Sequence, residues 1–137
     1  MRKIVPVALG LALMGAACDN SGSDTVPSSV PLLTDTFSGS VDPGGLAYHR
    51  FTVARQGEVD ITLTTAGPPA TITMGLAVGI PSATTCELSI TGGSVAAQAG
   101  TIPQLVGTAA AGELCVAVYD IGNQMVSVSY TVTVAHP

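Results

Sequence analysis

Apart from hydroxyl groups, this 137-residue sequence offers acid–base, nucleophilic or metal-binding chemistry only two histidines, nine carboxylates, three cysteines and four basic side chains. His49 sits in an alternating apolar run. It reads as a general base or as a side chain on a strand face, hydrogen-bonded to backbone, and the second is far commoner. His136 is second from the end, where chains fray, and is read the same way. Glu58 and Asp60 lie two apart on one strand face. Paired carboxylates can hydrolyse glycosides, but a solvated sheet face is the commoner reason for that spacing. No G-x-S-x-G, H-E-x-x-H or G-x-x-x-x-G-K-S/T occurs. Gly92-Gly93-Ser94 lacks the second flanking glycine of a nucleophile elbow. No catalytic residue is assigned, and no enzyme is expected. The best metal candidate is calcium, through Asp42, Asp120 and Asn123 in turns. The competing reading is turn chemistry, because Asp and Asn also bond to nearby backbone N–H groups. No other cofactor is expected.

The charge balance excludes more. Lys+Arg is 4 against Asp+Glu 9, a net charge of -5. Two of the basic residues are Arg2 and Lys3. Beyond them only Arg50 and Arg55 remain, with no lysine. A nucleic-acid binder needs a basic footprint to displace counterions, so no nucleic acid is expected. A P-loop or Schiff-base enzyme needs a lysine. Charged residues are 9% of the chain, against about 25% in an average soluble domain. The polar surface must therefore be built from Thr, Ser, Gly and Gln.

The first residues read as an address. Met1-Arg2-Lys3 is a short positive stretch. Residues 4–17 follow without charge, too short to span a membrane at about 20 residues and fitted to the apolar region of a secretory signal. Gly15-Ala16-Ala17-Cys18 then resembles the lipobox of bacterial lipoproteins, with Gly15 where that motif prefers Leu. The resemblance implies cleavage before Cys18 and lipidation of its sulfur. The alternative is a plain signal peptide cut after Ala17, with Cys18 a spare thiol. Residues 19–29 carry almost no apolar side chain and read as a tether. Three segments are thus expected: a signal peptide over 1–17, a lipidated cysteine and flexible linker over 18–33, and a folded domain over 34–137. Removing the first segment leaves two basic and nine acidic side chains, a net charge of about -7.

Three cysteines is an odd number for an exported chain. Lipidation of Cys18 would leave Cys86 and Cys115, which should pair in an oxidising compartment. Loop entropy would make that bridge worth roughly 3–4 kcal/mol. The alternative is two buried free thiols.

From Thr34 onward the apolar period is two. Strands are expected over Thr34–Val41, Leu46–Val53, Glu58–Thr65, Thr71–Ile80, Thr85–Thr91, Thr101–Thr108, Glu113–Tyr119 and Val126–Ala135. Gly92 to Gly100 reads as loop or weak strand. One face carries Phe37 and Val41, then His49, Phe51 and Val53, then Val59, Ile61 and Leu63. The strand over Thr71–Ile80 puts Gly75, Ala77 and Gly79 on its second face, room for something packed closely there. The last run is the cleanest, with Val126, Val128, Tyr130, Val132 and Val134 on one side. About eight short strands without an amphipathic helix imply an all-β domain of two packed antiparallel sheets, a β-sandwich.

His49-Arg50-Phe51-Thr52-Val53, the run Gly57 to Thr64, the run Gly112 to Asp120 and the ending Tyr130 to Val134 together resemble the bacterial pre-peptidase C-terminal domain and its stand-alone relatives. The resemblance covers about residues 34–137. It implies a jelly-roll-like sandwich and a role in secretion, localisation or substrate binding beside secreted peptidases. No peptidase domain precedes it here. Some members of that family bind calcium, but their ligands find no residue-by-residue match.

Two functions of different class are expected from these features. The first is a non-catalytic lipoprotein module of the bacterial cell envelope, anchored to a membrane through its N-terminal lipid and binding a protein, peptide or glycan ligand. The second is a small secreted hydrolase or a protease-associated inhibitor.

Overall fold

Alternation at period two makes each strand one-sided, and one-sided strands bury their apolar faces by stacking two sheets. The computed structural model describes residues 32–137. Its strands are β1 (Leu33–Val41), β2 (Leu46–Val53), β3 (Gly57–Gly67), β4 (Thr73–Pro81), β5 (Cys86–Glu87), β6 (Ser94–Gln98), β7 (Leu105–Ala109), β8 (Gly112–Tyr119) and β9 (Val128–His136). Every pairing is antiparallel. One sheet runs β1-β9-β3-β7. The other runs β2-β8-β4, with β6 also paired to β4 and the two-residue β5 pairing β4 at Ile80 and Pro81. β5 is a two-residue addition, and the eight longer strands set the topology. The order is then that of a jelly roll, eight positions in two four-stranded layers.

The core lies between the layers. Val41, Val53, Ile61, Leu63, Met74, Leu76, Val116, Val118, Val128, Val132 and Val134 are essentially inaccessible. Each comes from the apolar phase of its strand. In β3 the phase changes at a bulge between Leu63 and Thr65. The extra residue turns Ala66 inward to lie opposite Tyr130, and both are buried. The strand therefore continues to Gly67, past the expected end at Thr65.

The second face of β4 is covered as its small residues imply. Ala77 is fully buried there, in a separate cluster with Cys86, Cys115 and Tyr48. A Cβ on Gly75 would fall 2.2 Å from the Tyr119 ring. One on Gly79 would fall 2.5 Å from the Glu87 carbonyl oxygen and 2.9 Å from Cys86 Sγ. The missing side chains make room for a second, smaller apolar layer outside the sheet.

Boundaries differ from the expected ones most clearly at three places. The strand expected over Thr85–Thr91 pairs only at Cys86 and Glu87, and β6 forms in the stretch read as loop or weak strand. The strand expected from Thr101 begins at Leu105. Pro103 has no N–H to give a ladder. Instead the Gln104 side chain substitutes for a strand partner: its Oε1 accepts the Leu63 N–H at 2.7 Å, and its Nε2 donates to the Gln98 carbonyl at 3.2 Å. The last strand begins at Val128, not Val126, because residues up to Gln124 belong to a turn organised by Asp120.

Candidate functional site

At one flank the sandwich is open. Among the described residues β7 is an end strand, paired only with β3. Between it and the β4–β8 side lies a groove of about 590 Å³. Its floor is Val59, Ile61 and Leu105, all buried, and its rim includes Ile80 and Val106, both more than half exposed. The far wall is the turn Ile90 to Gly93, joined to β4 by the Val78 N–H donating to the Gly93 carbonyl at 2.8 Å. Glu113 is the single charged residue in the lining. Its carboxylate meets Arg50 Nη1 at 3.3 Å. Gly107 stands opposite Val59 in the β3–β7 register and so shares its groove-facing side. A Cβ at Gly107 would meet nothing within 4 Å.

Nothing in the sequence marked this groove. β7 reads Leu-Val-Gly-Thr-Ala, which looks like any short strand. Its free edge depends on where the chain places it in the sheet. The neutrality of the stretch was visible, but only its position at an edge makes that unusual.

The histidines lie on the opposite flank, near β1. His49 stacks on Phe37 with ring centroids 4.8 Å apart, and its Nε2 meets the Tyr130 hydroxyl at 2.7 Å. Burial holds His49 below the usual imidazole value of 6.5 and pushes the Tyr130 phenol up. Both therefore favour their neutral forms, with the phenol donating to Nε2. His49 thus sits on a strand face as expected, but its partner is the Tyr130 side chain and not backbone. His136 is not frayed. It is buried, with Nε2 3.0 Å from Asp35 Oδ2 and its ring against Phe51. The end of the chain is held as well, since the Ala54 N–H donates to the Pro137 carbonyl at 3.0 Å. Sequence position misled because β9 runs the whole length of β1 and carries its last residues into the sheet.

His49 gives a pH prediction. Its folded value is lowered, so the unfolded chain takes up the proton first. Stability is then flat in neutral solution and falls as pH drops through 6.5 towards the folded value. Urea unfolding at about pH 8 and about pH 5.5 should show a loss on acidification that shrinks in His49→Gln. An equal loss in both proteins would place the titrating group elsewhere.

The calcium candidates do converge on one end of the sandwich. Asp42 opens the β1–β2 turn, where its carbonyl accepts the Gly45 N–H at 2.7 Å. Asp120 and Asn123 lie in the β8–β9 loop beside it. The Asp120 carboxylate accepts the N–H groups of Gly44, Gly122, Asn123 and Gln124 at 2.8 to 3.2 Å. These donors hold its carboxyl below the usual carboxylate range, Gly44 first. Asn123 Nδ2 donates to the Thr73 carbonyl at 3.0 Å. A cation would have to compete with four N–H groups for Asp120. Among the described residues no three His, Cys, Asp or Glu side chains are grouped to hold a metal.

Glu58 and Asp60 share the outer face of β3, as their spacing requires, and neither lines the groove. Cys86 and Cys115 are joined in a disulfide. Cys18 lies outside the described residues. No family model matches the chain, and no curated protein matches it either.

Proposed function

We propose that this chain is a non-catalytic module of the bacterial cell envelope, anchored by a lipid on Cys18, whose jelly roll binds a protein, peptide or glycan ligand in the groove beside β7. The observation that carries the reading is the groove itself: an apolar floor, open along a sheet edge. Ligand sites are typically concave and mainly apolar, with few polar groups. The histidines and Asp120 are already engaged with protein partners, which leaves them structural work. The lipobox-like Gly15 to Cys18 and the charge-poor surface support an exported setting, as does the resemblance to pre-peptidase C-terminal domains.

Two measurements test the reading. Cys18→Ser should move the protein from the membrane fraction to the soluble one and remove its lipid mass. A native protein that is already soluble and carries no lipid would end the anchor hypothesis. For the ligand, Gly107→Val places a side chain into the groove where nothing obstructs it. Envelope components that cross-link to the native protein should be lost with this variant. Unchanged capture would remove the groove from the reading.

A further inference from the structure

We propose that the ligand of the groove is an extended, uncharged peptide segment that adds to the sheet as a new strand along β7. This rests on the groove being the binding site and says what kind of ligand it takes. The argument begins with the edge. An end strand presents a row of unpaired N–H and C=O groups, and proteins usually blunt such edges with charge, proline or a covering segment. The other end strands either carry a charge or have a main-chain group already bonded. β1 carries Asp35, β2 carries Arg50, and β5 carries Glu87. β6 has its Gln98 carbonyl taken by Gln104. β7 has no charge and no proline, and among the described residues nothing pairs with its outer edge.

The groove runs along this same edge, for all five residues of β7 line it, whichever face their side chains take. A helix or a lipid chain would fill the apolar floor but leave the edge unpaired. An extended peptide satisfies both: its main chain pairs with β7 while alternate side chains enter the groove. Charge then sets the composition. Glu113 is the single ionic residue in the lining, and Arg50 already faces it. A charged side chain carried into the groove would lose water without gaining a partner. Neutral residues, small or aliphatic, fit the floor of Val59, Ile61 and Leu105. Gly107 leaves the space one of them would occupy.

The test uses the protein with residues 1–17 removed, the rest of the chain intact, and a capped positional-scanning heptapeptide library of Gly, Ala, Ser, Thr, Val, Leu, Ile and Phe. A matching library carries Lys or Glu at alternate positions. The expected result is saturable binding to members of the first library and at least about tenfold weaker binding to the second. The best peptide is then remade with N-methyl groups on alternate residues, in two versions that each block one edge. One version should bind at least about tenfold more weakly than the other, because main-chain hydrogen bonds are made along one edge only. Gly107→Val should abolish binding while melting no lower than the native domain. No binding at about millimolar peptide, indifference to N-methylation on both edges, or equal binding of the charged library would each overturn the proposal. If peptides fail while envelope ligands remain sensitive to Gly107→Val, the groove stands as a site and only the strand-addition inference falls.

Discussion

Val132→Asp should unfold the domain or nearly so, while Thr131→Asp, one residue earlier, should leave it folded. Val132 is fully buried at the middle of β9, opposite Phe37 on one side and Leu63 on the other. β9 lies between β1 and β3, so its inner face has no route to solvent. An aspartate there is either a buried unpaired charge or a neutral acid without partners. The cost is about 4 kcal/mol or more, against about 5–15 kcal/mol of total stability for a domain of this kind. Thr131 points to the outer face, where its hydroxyl meets that of Ser38 at 3.0 Å. Replacing it loses that contact and costs about 1 kcal/mol. Thermal melts should separate the two variants by about 15 °C or more. Equal tolerance would remove β9 from the core, and equal loss would mean that its outer face is covered too.

That asymmetry was legible in the alternation of Val128, Tyr130, Val132 and Val134, because a period of two can bury only one set of side chains. The close covering of β4 was legible for the same kind of reason. Gly75, Ala77 and Gly79 have no bulk, and the structure spends that room on Tyr119 and the disulfide. Where reading failed, the determinants were polar and distant in sequence. Gln104 replaces a strand partner for Leu63, 41 residues away, and Asp120 organises a turn with the N–H of Gly44, 76 residues away. Such bonds leave no periodic trace. His136 is held by Asp35 at a separation of 101 residues, so its burial could not be inferred from its place in the chain. The groove was invisible for the same reason. It belongs to the sheet order, and the neutral run Leu105 to Ala109 becomes notable only once β7 is known to be an end strand.

Removing the disulfide should produce the second large effect. Cys86 lies in β5 opposite Pro81 of β4, and Cys115 lies in β8 opposite Gly79 of β4. The bridge therefore passes over the outer face of β4 and ties its two neighbours together. β5 has only two residues and two pairing positions, too few to hold its loop by hydrogen bonding alone. The bridge closes a loop with a sequence separation of 29, worth roughly 3–4 kcal/mol by chain entropy. Both sulfurs sit in the buried cluster with Ala77, so the bridge also contributes packing that alanines replace only in part. Cys86→Ala with Cys115→Ala should lower the melting temperature by about 15–25 °C. Reduction of the native protein should produce a similar drop, because both treatments release the same loop. The consequence reaches the proposed function. Ile90 to Gly93, the far wall of the groove, follows directly on β5. Without the bridge that wall is held only from its β6 side, by the bond from Val78 to Gly93 and the β4–β6 pairing, and ligand affinity should fall even at temperatures where the reduced domain remains folded. A reduced protein that melts within about 5 °C of the oxidised one would show that β-sheet pairing alone sets the position of this segment.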